Sequence, residues 1–190
     1  MTLSVHRLDP DLRPTLVAHF LSLSPADRHL RFGTGLAPRV IAGYVERIDF
    51  NRDAVFGVHD DSLALVGVAH VAFDGERAEL GLSVLPEHRH RGVGDALFRR
   101  AVAHARNRGA PEVVMQFLST NVPMRLIAQR FGMDIASRGT EAYARLELLP
   151  ASTLSIAIEL VTDAVTLVDR TLKALVAGWR NGLGEQARPL

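Results

Sequence analysis

Arg89-His90-Arg91-Gly92-Val93-Gly94 decides how this chain is read, because two arginines and two glycines stand between a strand and a helix that their neighbours predict. Upstream, residues 78–84 (Ala-Glu-Leu-Gly-Leu-Ser-Val) alternate as a half-buried strand does, and Pro86 ends the run because proline cannot donate to a ladder. Downstream, Ala96, Leu97, Ala101, Val102 and Ala105 recur at three- and four-residue spacings, so a helix is predicted from Val93 to Arg108, with Gly109-Ala110-Pro111 as its stop. Gly92 and Gly94 carry no Cβ, so the N–H groups that open this helix can come close to an anion along the positive end of the helix dipole. Arg89 and Arg91 add fixed positive charge. The combination suits a diphosphate. It is neither the nucleotide P-loop, which needs a longer gap and a final Lys-Ser/Thr, nor the dinucleotide fingerprint, which needs three glycines.

Residues 112–118 (Glu-Val-Val-Met-Gln-Phe-Leu) read as a further strand, followed by Ser119-Thr120-Asn121, a helix from Val122 to Phe131, and Gly132 to close it. The Arg-x-x-Gly-x-Gly pattern at Arg89–Gly94, placed after Val-x-Pro, resembles the coenzyme A pyrophosphate loop of the GNAT superfamily of acyltransferases. Asn121 and Arg130-Phe131-Gly132-Met133 match the family layout of an Asn opening the next helix and a Gly-aromatic pair closing it, with Met133 where Phe is usual. The resemblance covers about residues 60–148. It implies an α/β (α+β) fold: a GNAT-like mixed, mostly antiparallel central sheet flanked by helices.

The 190 residues are 47% hydrophobic, enough for an ordinary core, and 22 basic against 21 acidic side chains leave a net charge of +1. That balance gives no field for a polyanion, so nucleic acid is not expected as a partner. Without cysteine there are no disulfides and no thiolate ligands or nucleophile, which suits a reducing, cytoplasmic setting. Residues 1–9 lack an apolar run of signal-peptide length, and no segment has 18 uncharged apolar residues in a row, so no membrane span is expected.

From the start, Leu3–Leu8 alternates as a first strand, and Asp9-Pro10 opens a helix through Leu16, Val17, Phe20 and Leu21. Ser24-Pro25-Ala26-Asp27 is a capping box with proline at the first helical position. Pro38 to Ile48 reads as a helix burying Val40, Ile41, Tyr44, Val45 and Ile48. Ala54–His59 and Leu63–Phe73 read as strands joined at Asp60-Asp61-Ser62, with Asp74-Gly75 turning into the Ala78–Val84 strand. One final strand follows the Asn121 helix. The Leu21–Phe32 stretch is also similar to the acetyltransferase domain of bacterial protein-lysine acetyltransferases; alternatively Arg28 and Arg31 are solvated charges on a short amphipathic helix and Phe32 is core.

Acyl transfer to an amine needs the neutral amine, and a group of pKa near ~10.4 is neutral in only about one molecule in a few thousand at pH 7. Glu79 shares a strand face with Gly81 and Ser83, small residues that leave room for a ligand, and the resemblance implies the role of general base for it; the other reading is a surface carboxylate paired with Arg77 or Arg145. Relatives protonate the leaving thiolate with a tyrosine in the Asn121 helix. By counting, that position is Ala128, so the acid is missing, and Ser119, Thr120 and Tyr143 are the candidates to replace it. The resemblance further implies that acetyl-CoA is bound by Arg89, His90, Arg91, Gly92, Val93 and Gly94 at its pyrophosphate. Strand backbone at Leu82, Ser83 and Val84 would bond the pantetheine as an added strand, with an N–H placed where the thioester oxygen gains charge. Asn121 would help hold the pantetheine and would also cap its own helix. His88-Arg89-His90 is not expected to bind metal, because arginine charge opposes a cation and no thiol is available.

From Ser152 to Trp179 a seam of Leu154, Ile158, Val161, Val165, Val168, Leu172, Leu175 and Trp179 alternates spacings of four and three, beside a line of small residues at Ala157, Ala164, Thr171 and Gly178. This predicts one long amphipathic helix that covers its stripe against a second subunit or against its own domain. The expected organisation is therefore an acetyltransferase domain over 1–149 and a C-terminal helix and tail over 150–190. The expected activity is direct, acetyl-CoA-dependent transfer of acetyl to a primary amine, a protein lysine being narrowly favoured over a small molecule. A binding or sensor module that has lost catalysis is the alternative.

Overall fold

The computed structural model describes residues 3–75, 77–162, 164, 165 and 171. Local turn chemistry sets the middle of the chain. Asp60 Oδ1 accepts from the N–H groups of Ser62 and Ala64 at 2.9 and 3.0 Å, and Gly75 adopts φ +95°, so three successive strands, β2 (Ala54–His59), β3 (Leu65–Phe73) and β4 (Ala78–Val84), fold back on one another as antiparallel neighbours. A two-residue β1 (His6–Arg7) lies on the outer edge of β2. Beyond β4 come α4 (Val93–Asn107), β5 (Glu112–Leu118), α5 (Val122–Arg130), β6 (Asp134–Arg138) and β7 (Glu141–Glu147); between β1 and β2 lie α1 (Arg13–Ser22), α2 (Pro25–Phe32) and α3 (Pro38–Glu46). The seven-stranded sheet runs β1-β2-β3-β4-β5-β7-β6, and β4 with β5 is its parallel pair.

Each face of the sheet carries its own core. Leu97, Phe98 and Ala101 of α4 pack on Phe56, Val71, Leu80 and Met115, with Ala128 of α5 beside them and Phe131 stacked on Phe98 at 4.3 Å. On the other face Leu16 and Phe20 of α1 and Ile41 and Val45 of α3 cover Val55 and Val68. α2 begins as the capping box requires, with Ser24 Oγ accepting from the Asp27 N–H at 3.1 Å, and ends on Gly33 at φ +74°.

Four expectations change. Leu3–Leu8 pairs only at His6–Arg7. The first helix is preceded by a 3-10 turn at Pro10–Leu12, because the two prolines at 10 and 14 remove donors that a longer helix would need. Val40 is exposed rather than core, since α3 turns Ile41 and Val45 inward. The single final strand is a hairpin, because Gly139 at φ +63° reverses the chain and inserts β7 between β5 and β6.

Among the described residues 153–162, 164, 165 and 171 are helical after the sheet, and this helix docks by its polar side. Glu159 receives Arg100 Nη1 and His104 Nδ1, both at 2.6 Å, and Asn107 Nδ2 at 2.5 Å, all from α4. Burial pushes the Glu159 carboxyl up, but these donors outweigh it and hold it down at about 2. Leu154, Ile158, Val161 and Val165 of the predicted seam are instead between 57% and 69% exposed, turned away from the domain. Val168, Leu172, Leu175, Trp179 and Gly178 lie outside the described residues.

Candidate acyl-transfer site

The site forms where β4 and β5 part. Their ladder holds only at Ala78–Val113 and Glu79–Val114, whereas β4 stays paired with β3 as far as Val84 and β5 stays paired with β7 as far as Leu118. Past Glu79 the β5 side of β4 is therefore an unpaired strand edge inside the molecule, and unpaired ladder groups need partners. A cleft of about 380 Å³ opens there.

The arginine-glycine loop closes one end of it. His90 at φ +58° and Gly92 at φ +80° bend the backbone so that α4 begins at Val93, and the first intrahelical bond at this end is Ala96 N–H to Gly92 C=O at 2.9 Å. The N–H groups of Val93, Gly94 and Asp95 thus have no intrahelical acceptor and sit at the positive end of the dipole. Gly94 is needed for closeness: a Cβ would lie 3.0 Å from Ile127 Cδ1 of α5 and 4.0 Å from Val84 Cγ2. Arg89 is held on both sides, donating from Nε to Val84 C=O at 3.1 Å and pairing through Nη2 with Asp27 of α2 at 2.7 Å. Asn121 caps α5 by accepting from the Met124 N–H at 3.2 Å and donates to Leu30 C=O at 3.3 Å, tying α5 to α2.

Leu82, Ser83, Val84, Arg89, His90, Gly92, Val93, Gly94 and Asn121 all line the cleft; Arg91 and Glu79 do not. Glu79 is exposed on the strand face that carries Gly81 and Ser83 and has neither Arg77 nor Arg145 as a partner, since Arg77 pairs with Asp74 and Arg145 with Glu112 and Glu147. Ala128 is fully buried in the core, and Met124 and Ile127 are the α5 residues that face the cleft with Pro123, Leu126 and Arg130. Ser119 and Tyr143 bond locally, to Gly139 C=O and Glu141, outside the lining. Sequence reading missed the contribution of α2, whose Asp27, Leu30 and Arg31 complete the wall together with Leu23 at the end of α1. Nothing in an eight-residue amphipathic helix announces which of its charges turns inward.

Two polar chains run under this wall on the α1–α3 side. His19 of α1 bonds Leu65 C=O through Nδ1 and Ser83 Oγ through Nε2, each at 2.8 Å; with the carbonyl fixing the proton on Nδ1, Ser83 is the donor to Nε2. His70 of β3 donates from Nε2 to Asp53 at 3.3 Å and accepts at Nδ1 from the Tyr44 hydroxyl at 2.7 Å, and Arg31 Nη2 donates to the same hydroxyl at 3.3 Å. Burial, with the Arg31 charge nearby, holds both His19 and His70 down at about 4.

This arrangement, a parallel pair prised open between a diphosphate-type loop and a capped helix on an otherwise antiparallel sheet, defines the class of acyl-CoA transferases. The chain belongs to the GNAT acetyltransferase family, whose model matches residues 19–133. No protein of curated function matches the sequence. Among solved structures, the fold is similar to the GNAT domain of S. lividans PAT (TM-score 0.69, 20% identity, 78% of this chain and 95% of that one). It is also similar to a putative acetyltransferase from Salmonella typhimurium solved with its cofactor acetyl-CoA (TM-score 0.61, 17% identity, covering 80% and 98%). A third is the ribosomal-protein-S18-alanine N-acetyltransferase from Escherichia coli (TM-score 0.61, 13% identity, covering 80% and 97%).

Two histidines held neutral make stability depend on pH. Their folded values near 4 lie below the ordinary 6.5, so the unfolded chain binds more protons between those limits. Stability against urea is full above about pH 6.5 and falls as pH drops toward 4; His70→Gln is expected to flatten that slope relative to the wild type, and identical slopes would contradict the assignment.

Proposed function

We propose that the protein is an acetyl-CoA-dependent N-acetyltransferase that moves the acetyl group directly to a primary amine. One observation carries the reading: an unpaired β4 edge at Leu82–Val84 runs into the open N-terminus of α4, so strand-type and anion-type recognition meet in one cleft. The residues suit acetyl-CoA because Gly94 leaves no side chain between the helix N-terminus and a ligand, and the three free N–H groups point where a pyrophosphate needs donors. When bound, acetyl-CoA supplies the acetyl thioester. The β4 backbone then orients the pantetheine by main-chain bonds, and Arg89 and Arg91 add charge at the loop. Glu79 takes the proton from the incoming amine on the Gly81 face. No hydroxyl from α5 is available as an acid, and a thiol of pKa about 8.5 leaves well without one.

The acceptor arrives from the α1–α3 side of the sheet. A protein lysine is the acceptor narrowly favoured by sequence, supported by the likeness of residues 21–32 to protein-lysine acetyltransferases, and a small-molecule amine is the alternative. A cytoplasmic setting belongs to the same proposal, in keeping with the cysteine-free sequence; among the described residues no helix is long and apolar enough to cross a membrane. The division at residue 149 is also proposed, the sheet ending at Glu147 and the helical residues starting at 153. We assign the outward seam of that helix to a second copy of the chain, since its polar side is already committed to α4 and the apolar spacing continues in sequence to Trp179.

Calorimetry with acetyl-CoA tests the cleft: Gly94→Leu or Arg89→Glu should weaken binding by at least about tenfold with the fold intact, and unchanged affinity in both would remove the cofactor assignment. Glu79→Gln should keep that affinity and lower turnover by roughly 10²-fold at neutral pH, with partial recovery as pH rises and the amine deprotonates itself; wild-type turnover would exclude the base role. Light scattering decides the assembly. The full chain should be dimeric at tens of micromolar and Val165→Glu monomeric, and a monomeric wild type would rule the contact out.

A further inference from the structure

Arg31 is a guanidinium with no anion to meet. Among the described residues no carboxylate pairs with it, its Nε is buried with no hydrogen-bond acceptor, and its one hydrogen bond is the long 3.3 Å contact to the Tyr44 hydroxyl. Arg31 is half-buried, and a guanidinium with a buried, unmet N–H is suited to a carboxylate or phosphate, because each unmet N–H carries a desolvation cost. The nearest acidic group along the polar chain, Asp53, is separated from it by Tyr44 and His70 and is matched instead by Arg52 Nε at 2.9 Å.

Its placement is built. Phe20, Phe32 and Tyr44 stand edge to face with one another at 5.3–5.8 Å, and the Arg31 carbon lies 4.9 to 6.0 Å from the three ring centres. Underneath, the strand is bare: a Cβ on Gly81 would lie 2.4 Å from Arg31 Nη2, so only glycine lets the guanidinium rest on β4. His19 and His70 beside it are neutral and Asp27, the other α2 charge on the cleft, is paired with Arg89, so Arg31 is the cleft-lining α2 charge left without a counter-ion among the described residues. On the same strand face, two residues from Gly81, stands Glu79. A cation over Gly81 and an anion two residues along the same face are the complement of a molecule carrying an amine and a carboxylate.

We infer that the acceptor is a small amine bearing a carboxylate, an amino acid being its simplest form, and that Arg31 receives that carboxylate while the amine faces the thioester. The inference rests on the acetyltransferase reading above and narrows its acceptor. The bond formed is the amide from the acceptor nitrogen to the acetyl carbon, the bond broken is the thioester, and the amine proton leaves through Glu79; the carboxylate is bound and not consumed.

The probes are the twenty amino acids, their carboxamides, and lysine blocked as the Nα-acetyl methylamide, assayed by release of CoA at saturating acetyl-CoA. At least one free acid should exceed its own carboxamide by on the order of 10²-fold in kcat/KM. Arg31→Gln should erase that difference through KM and Arg31→Lys should keep part of it, each compared with its own carboxamide series at saturating acetyl-CoA. If Arg31→Gln does not fold, Gly81→Ala, which displaces the guanidinium, gives the same readout. Carboxamides equal to acids, blocked lysine as the best acceptor, discrimination that survives in a folded Arg31→Gln, or no amino acid accepted by a chain that binds acetyl-CoA would each overturn the inference alone. Wild-type protein that does not bind acetyl-CoA would overturn the reading on which it rests.

Discussion

The divergence of β4 from β5 is the constraint on which the rest depends. Each strand is fully paired on its outer side, β4 with β3 and β5 with β7, so neither can follow the other once they part after Glu79 and Val114. Buried backbone donors and acceptors are then left without ladder partners, a costly condition in a closed core and a useful one beside a ligand. The helices on either side are arranged around this gap. α4 starts at its end with three free N–H groups, α5 starts across it on the Asn121 cap, and α2 covers it through Leu30 and Asp27.

The two faces of the sheet hold different chemistry for the same reason. The α4 face is apolar and tightly packed, with Leu80, Leu97, Phe98 and Met115 nearly without exposure, and it gives the loop a rigid base. Toward α1–α3, Ser83 and His70 of the sheet meet His19, Tyr44 and Arg31 of the three helices in bonded chains. Alternation along β4 sends Leu80 and Leu82 into the first core and Glu79, Gly81 and Ser83 toward the second face. One strand thus separates an anchoring side from a reacting side, and a single residue, Gly81, keeps the space above it open for a cation.

The C-terminal helix reverses the usual arrangement of a surface helix, in which the apolar stripe faces the domain. Glu159, with a depressed pKa, is met by three donors from α4, and that polar contact decides the orientation before the stripe is covered.

Most of the fold was legible in the sequence because its signals are local. Strands β2, β4 and β5 begin and end where Gly, Pro and Asp turns say they must, and α4 and α5 follow their apolar spacing. Arg89–Gly94 and Asn121 announced the cleft, since a helix N-terminus and its cap are written within a few residues. The final hairpin was missed because Gly139 reads as a turn only once β7 has a place beside β5. The inward turn of Arg31, the pairing of His19 with Ser83 and of His70 with Tyr44, and the outward turn of Leu154 and Ile158 belong to tertiary structure alone. Each joins residues 26 or 64 positions apart or chooses between two faces of one helix, and periodicity states that a helix has two faces without stating which partner each will meet.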